Sequence, residues 1–372
     1  MNKPTFVSLF SGAGGLDLGL ISSGFRLLAS VESNDDCIAT LEANHRRFGD
    51  PELIHDDIAN VSKISARNVD LLCGGPPCQP FSSCGKQKGI VDDRGKLFEH
   101  FVRIADELRP KAILFENVRG LVTARGPSGQ PGEVVSLVKE AFESIGYATT
   151  FALLNAADFG VPQRRVRCFM MATRNSRLPE FPIAKSKWIS LGSFLKLNGE
   201  PIKSEIVYPS SSLAEELAAI PDGKGIRSAG KCESTRPGGH WGYRQGCFIA
   251  DLSLPARTVV GSPSQDWVRC SFIGKLRRLT QSECAALQGF PVGYEFLGNV
   301  ASRFKQIGNA VPSEFGRVLG NSILKSLSSP GKPKSAALPL SFTKAIEYTK
   351  REQLSNGTSR EFSLQKSKGK MS

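Results

Sequence analysis

The pattern of apolar and polar positions divides the chain near residue 172. Before it, short apolar runs alternate with segments of helical period. Phe6-Val7-Ser8-Leu9-Phe10 reads as a buried strand, Ser11-Gly12-Ala13-Gly14-Gly15 as a turn, and Leu16 to Ser23 as a helix. Leu27 to Val31 predicts a second strand, ending at Glu32. Val69 to Cys73 predicts another, ending in Gly74-Gly75-Pro76-Pro77. Ala112 to Phe115 predicts one that ends at Glu116-Asn117. This β-α-β-α rhythm predicts an α/β fold with a doubly wound, mostly parallel sheet and helices on both faces. Gly12, Glu32, Asp57, Cys78 and Glu116 each follow a presumed strand. Ligands of such sheets bind outside the carboxyl ends of the strands, so the five features are expected on one rim.

After Met170-Met171 the rhythm stops. Residues 173–272 are rich in Ser, Pro and Gly, which predicts a small irregular second domain, and helical period returns from Leu279 to Gly289. From Ser328 the chain is rich in Ser, Lys and Pro. A largely disordered tail is expected there, with a short amphipathic helix near 342–354.

Charge sharpens this division. The 372 residues carry a net charge of +13, distributed as −1 over residues 1–172, +4 over 173–272, +4 over 273–328 and +6 over 329–372. A basic second half beside a neutral first half fits a polyanion partner as well as it fits a merely solvated surface. No apolar run reaches the roughly 18 residues of a membrane span, and Met1-Asn2-Lys3-Pro4 does not open a signal peptide. A soluble, cytoplasmic protein is expected. The nine cysteines include no CxxC pair, and the four histidines no HxxxH, so neither a structural zinc nor any other metal is expected.

The strand-end features carry candidate chemistry. The glycine turn at 10–15 lets the backbone approach a ligand closely. Asp17 stands where a strict GxGxxG has its third glycine, which disfavours a pyrophosphate dinucleotide and permits another nucleoside cofactor. Glu32 is placed to accept from two ribose hydroxyls. Asp57 and Ile58 are placed to bracket an adenine; each acid alone would read as a solvated loop carboxylate. In Gly74-Gly75-Pro76-Pro77-Cys78-Gln79-Pro80-Phe81-Ser82, prolines frame a thiol that a buried structural cysteine would not need, which points to a nucleophile. Glu116 follows an apolar strand, where an acid is costly to desolvate unless used. It reads as a proton donor to a heterocycle nitrogen or as a favourable acid near a helix start.

Together these residues resemble the DNA (cytosine-5) methyltransferase family of bacteria and phages. FSGAGG (10–15), Glu32, Asp57-Ile58, GGPPCQPFS (74–82) and DDRGKLF (92–98) are followed by ENV (116–118), GVPQRRVR (160–167), RLTQSECAALQGFP (278–291) and QIGNAVP (306–312), in the family's order. The resemblance covers about residues 5–325. It implies the Rossmann-like fold of class I S-adenosylmethionine-dependent methyltransferases, with a small target-recognition domain. The cofactor would be S-adenosyl-L-methionine, lined by Phe10, Gly12, Gly14, Glu32, Asp57, Ile58, Gly75, Leu97 and Asn309. Cys78 would attack C6 of a cytosine flipped out of duplex DNA, and Glu116 would hold N3 and the amino group. Arg165 and Arg167, read as sharing a strand face with Gln163, would hold the flipped nucleotide. Lys86, Lys88 and Arg94 lie on a loop expected to close over DNA. Arg236, Tyr243, Arg244 and Gln245 are candidates for base contacts, and Arg277 and Arg278 for phosphates.

The implied organisation is a catalytic domain at 1–172 completed by about 295–327, a target-recognition domain with the late motifs at 173–294, and a basic tail at 328–372. A monomer acting on double-stranded DNA is expected, either alone or alongside a cognate restriction endonuclease, with no regulatory domain before the first motif. Three rival readings fit the sequence less well. A tRNA cytosine-5 methyltransferase would carry Cys-Phe-Thr where this chain has Cys247-Phe248-Ile249. A non-catalytic DNA-binding regulator would have lost Cys78, Glu116 or the arginine pair. A nicotinamide oxidoreductase is disfavoured by Asp17 and the framed thiol.

Overall fold

The computed structural model describes residues 3–77, 95–184, 187–227, 243–269 and 275–349. In chain order the main elements are β1 (Thr5–Leu9), α1 (Gly15–Ser23), β2 (Arg26–Glu32), α2 (Asp35–Ala43), α3 (His45–Phe48), β3 (Glu52–His55) and β4 (Leu71–Gly74). There follow α4 (Gly95–Leu108), β5 (Ala112–Val118), α5 (Glu133–Ser144), β6 (Ala148–Asn155), β7 (Val166–Thr173), α6 (Leu191–Asn198) and α7 (Ser211–Ala218). The rest are β8 (Gly225–Arg227), β9 (Tyr243–Phe248), β10 (Trp267–Arg269), β11 (Leu276–Arg278), α8 (Gln281–Leu287), α9 (Val300–Asn309) and α10 (Ser313–Leu327). The pairs β1–β2, β2–β3 and β4–β5 are parallel, as the alternating pattern predicts.

The chain forms two compact units. One comprises Met1–Asp57, Leu154–Val166 and Phe181–Leu324; the other comprises Ile58–Leu153, Arg167–Glu180 and Lys325–Ser372. These limits differ from the expected boundaries at 172 and 294, and the cause is local pairing. Gln163 forms a parallel bridge with Ala256, whereas Arg167 to Thr173 pairs antiparallel with β5. Residues 163–165 therefore precede β7, and the expected common strand face of 163, 165 and 167 does not form.

In the first unit, β2 lies between β1 and β3, parallel to both. Phe6, Val7 and Leu9 are fully buried, as a strand packed on both faces requires. α10, from the far end of the chain, crosses α1 at glycines. A Cβ on Gly19 would overlap the Ser313 carbonyl oxygen, and one on Gly316 the Leu16 carbonyl oxygen. The two backbones thus touch where side chains would separate them. The later part of this unit has its own cores, one around Val259, Val268, Leu279 and Ile307 and another around Leu217, Ile249 and Trp267. Short antiparallel ribbons, β8 with β9 and β10 with β11, lie in the same segment.

In the second unit, β4 and β5 are parallel, β7 runs antiparallel to β5, and β6 lies beside β7. Phe98 and Phe101 of α4 meet Phe115 of β5 and Phe142 of α5 edge to face at 5.8–5.9 Å.

The tail departs from the expected disorder over 329–339, while the short helix expected near 342–354 is present, among the described residues, at 340–349. Ala336 N–H donates to the Thr149 carbonyl at 2.9 Å, and Ser335 Oγ accepts from Thr149 N–H at 3.1 Å. Phe342 is fully buried beside Phe151. An aromatic anchor together with bonds to the backbone of an edge strand orders the segment.

The α1–α10 contact gives a direct test. Gly19→Ala should cost at least ~2 kcal/mol, because neither backbone can yield without breaking the packing. Urea denaturation of the two proteins measures this; an unchanged midpoint would refute the close crossing.

Candidate active site

The first unit carries the glycine turn. Phe10 ends β1 with φ +56°, a left-handed backbone that a bulky residue rarely adopts, and Gly12 and Gly14 follow at +54° and +75°. The two glycines serve different purposes. Open space surrounds the position of a Cβ on Gly12, whereas one on Gly14 would lie 2.5 Å from the Phe48 ring. Gly14, expected to line the cofactor, is thus glycine because the core fills its side-chain direction.

Glu32 ends β2 and holds the turn. One carboxylate oxygen accepts from Gly12 N–H at 2.8 Å and the other from Ser33 and Asn34 N–H, both at 3.0 Å. A carboxylate offers about four acceptor directions. About one remains for a further donor, fewer than the two ribose contacts expected. Asp57 is exposed, and so is Asn309 at the end of α9. Ile58, expected against an adenine, is buried, and its carbonyl accepts from Arg103 at 3.1 Å. Leu97 is half-buried on α4.

Beneath the turn lies an acid to which the sequence assigned no role beyond replacing a glycine. Asp17 is fully buried and accepts from Ser8 Oγ at 2.6 Å. Burial pushes its carboxyl up to about 7; the Ser8 hydrogen bond opposes this and nearby Glu32 reinforces it. Its signal in the sequence was a lone acid in the otherwise apolar Leu16-Asp17-Leu18-Gly19-Leu20. Tyr294 also holds the turn, donating its hydroxyl to the Ala13 carbonyl at 2.6 Å.

The second unit carries the acid after β5. Glu116 pairs with Arg167 Nε at 3.1 Å, with side-chain exposures of 12% and 14%. Burial pushes the Arg167 guanidinium below its usual range, and Glu116 pulls it back up. A Cβ on Gly75 would lie 2.6 Å from a Glu116 carboxylate oxygen, so Gly75 is glycine to admit this acid. Asn117 donates to the Pro76 carbonyl at 2.9 Å, tying the proline loop to β5. Sequence proximity alone would not have paired Glu116 with Arg167; the antiparallel register of β7 does. Cys78, Lys86, Lys88, Arg94 and Arg236 lie outside the described residues. Among the described residues, no group of three or more His, Cys, Asp or Glu could hold a metal ion, and no helix is long and apolar enough to cross a membrane.

Several arginines expected on nucleic acid are engaged inside the protein. Arg165 is buried and donates to the carbonyls of Val259 (3.3 Å), Gly308 (2.8 Å) and Asn309 (3.4 Å). Arg277 is buried in a two-point pair with Glu283 at 2.7 and 2.8 Å, and Glu283 also closes the capping box of α8 with Thr280. Arg278 stacks on Trp267 at 3.9 Å and donates to the carbonyls of Gln265 and Gly246. The phosphate contact expected of Arg277 is corrected accordingly, because Glu283 and the Arg278 carbonyl take its buried donors; Arg278 is half-buried and gives only part of its five donors to carbonyls. Arg244, expected on a base, pairs with Glu216 at 3.1 Å and donates to Cys247 Sγ. Tyr243 packs edge-on against Phe248, and Gln245 is exposed on β9, as is Arg244 despite its two partners.

The model of a family described as C-5 cytosine-specific DNA methylase matches residues 4–231 and 249–325. The chain is 34% identical over 342 residues to Type II methyltransferase M1.HphI of Haemophilus parahaemolyticus, covering 86% of this chain and 87% of that protein. It is 34% identical over 347 residues to Type II methyltransferase M.PspPI of a Psychrobacter species, covering 88% and 80%. Its fold is like that of a crystal structure described as a prophage-encoded DNA modification methyltransferase of E. coli. That likeness has a TM-score of 0.63 at 20% identity and covers 88% of this chain and all of the other.

Two outcomes follow from the buried charges. The unfolded chain releases the Asp17 proton near pH 4, while the folded chain keeps it up to about pH 7. Stability should therefore be greatest below pH 4 as far as this group is concerned and fall as pH rises to 7, by at most roughly 4 kcal/mol. Asp17→Asn should flatten that slope in melting temperature against pH; equal slopes in both proteins would refute the shift. Arg277→Ala should cost about 3–5 kcal/mol by stranding Glu283. A variant of normal stability by urea titration, with weakened DNA binding alone, would restore the phosphate role.

Proposed function

The chain belongs to the C-5 cytosine-specific DNA methylase family and methylates C5 of cytosine in DNA. From that premise we propose which of its residues do the work. The observation that carries the assignment is Glu116, nearly buried at the end of β5, admitted by Gly75 and held by Arg167. An acid so placed is positioned to share a proton with N3 of a cytosine and to accept from its amino group. As C5 and the ring nitrogens gain negative charge, Glu116 stabilises it, and Arg167 keeps the carboxyl in place.

Cys78 is the nucleophile. Its thiolate adds to C6, and the electron pair of the C5–C6 double bond moves toward C5, which becomes enamine-like. After C5 has gained its methyl group, a base takes the C5 proton, the double bond re-forms and the thiolate leaves. A stacked base cannot be reached in this way, so the cytosine is flipped out of the duplex.

The methyl donor is S-adenosyl-L-methionine, whose sulfonium supplies an electrophilic methyl group. The residues fit an adenosine group: Gly12 leaves open space on a left-handed turn, Glu32 retains acceptor capacity for a ribose hydroxyl, and Phe10, Asp57 and Asn309 flank it by the family's pattern. The reaction is that of a DNA (cytosine-5-)-methyltransferase acting on a specific duplex sequence. The chain's role is modification in a restriction–modification system or as an orphan enzyme in a bacterial cytoplasm, consistent with relatives named Type II methyltransferases.

Transfer of labelled methyl from S-adenosyl-L-methionine to duplex DNA and to tRNA, read side by side, tests the reading. DNA should be labelled and tRNA not. Cys78→Ser should abolish labelling yet still bind DNA, and Glu116→Gln should lower kcat by about 10²–10³. Turnover at the wild-type rate in Cys78→Ser would refute the nucleophile.

A further inference from the structure

We propose that Arg165, with Gln163 and Gln288, is a positioning unit that fixes Asn309 against the 258–261 loop of the recognition segment. The inference deepens the reading of Asn309 as a cofactor residue and rests on it.

The three side chains come from two distant stretches of the chain, 163–165 and 288, and are at most 1% exposed. Gln163 accepts from Val259 N–H at 3.0 Å and donates to the Leu287 carbonyl at 3.3 Å and to Gln288 Oε1 at 3.0 Å. Gln288 then donates to the carbonyls of Ile307 (2.6 Å) and Ala310 (3.2 Å). Arg165 completes the circuit. One guanidinium nitrogen donates to Val259 and the other to Gly308 and Asn309.

Apart from the Gln163 bonds to Leu287 and Gln288, these bonds end on one of two places. One is the backbone at Val259 in the recognition segment. The other is the 307–310 backbone, which Arg165 and Gln288 reach directly and Gln163 reaches through Gln288. A planar guanidinium fork fixes both directions at once, which the single point charge of lysine cannot do. The two backbones also touch. A Cβ on Gly308 would overlap the Gly261 backbone, and one on Gly261 would lie 3.4 Å from Asn309 Oδ1. Asn309 itself is exposed, so its amide is set from behind, by residues that no ligand reaches. On the other strand of the circuit, Thr258 Oγ1 donates to the Arg164 carbonyl at 2.9 Å, which anchors the start of the same loop.

Buried donors of this kind are costly to strand, and for that reason loss of one partner would be felt at the other end. The unit therefore sets where Asn309 stands relative to the 258–261 loop without touching substrate. A stability role alone would lower the melting temperature and leave the effects of Arg165 and Asn309 independent.

The experiment is a double-mutant cycle on the full-length protein, read as equilibrium affinity for S-adenosyl-L-methionine without DNA. Melting curves establish that each variant is folded. Asn309→Ala should weaken binding several-fold, and Arg165→Lys should weaken it about tenfold. Adding Asn309→Ala to Arg165→Lys should then change little, because the amide is already displaced. If Arg165→Lys does not fold, Gln288→Met, which keeps the length and removes the donors, takes its place in the cycle. Unchanged affinity in a folded Arg165→Lys, or effects that multiply independently, would overturn the positioning unit and leave the cofactor reading intact. Unchanged affinity in Asn309→Ala would overturn the cofactor reading of that residue.

Discussion

A nearly buried carboxylate must either keep its proton or find a partner of opposite charge, and the second unit is arranged around the second course. Glu116 lies at the end of a strand whose earlier residues are all buried. Its partner, Arg167, arrives because β7 runs antiparallel to β5 and sets Arg167 opposite Val118, two positions along from Glu116. In an all-parallel arrangement the start of β7 would lie at the opposite end of the strand. The one reversed strand is thus what brings a cation to the acid. Gly75 supplies the other half of the condition, since any side chain there would occupy the space of the carboxylate.

The first unit meets a different constraint with the same economy of side chains. Distant segments must come within backbone contact of the glycine turn, so glycine stands wherever they cross. Gly19 and Gly316 let α10 lie on α1, and Gly15 lies against Val311 and Ala310, just beyond α9. Polar side chains then lock what the glycines admit: Thr40 donates to Gln306 at 2.7 Å and Tyr294 to Ala13 at 2.6 Å. Late motifs are joined to the first turn by close backbone approach, in which the glycines are specific and the order along the chain is immaterial.

This explains what could and could not be read beforehand. β1, α1, β2 and β5 were legible because apolar period and strand-end punctuation are local properties. Glu32 and Glu116 were legible as unusual acids for the same reason. The fate of the arginines was not legible. Arg165, Arg277 and Arg278 resemble exposed phosphate ligands in sequence, and nothing local announces that Glu283, Trp267 or a set of carbonyls will claim them. The roles of Gln163 and Gln288 were hidden likewise, since an amide that satisfies a distant backbone has no periodic signature. The tail misled by composition: Phe342, with hydrogen bonds to the Thr149 backbone, anchors a segment that average polarity marks as unfolded.

Net charge must be discounted by the same reasoning. The chain's +13 is an upper bound on what a phosphate backbone can meet, because salt-dependent binding counts only cations free to displace counterions. Arg165 and Arg277 are sealed from solvent, and Arg278 and Arg257 lie over Trp267 and Phe248, each at 3.9 Å. Asp266 sits among these charges. Burial pushes its carboxyl up to about 6, against the pull of Arg257, Arg164 and Arg278. Its desolvation thus outweighs the pull of three neighbouring cations. The positive field available to DNA must come from the exposed lysines and arginines that remain, so the slope of DNA affinity with salt reports far fewer contacts than the basic residues of the second half would imply.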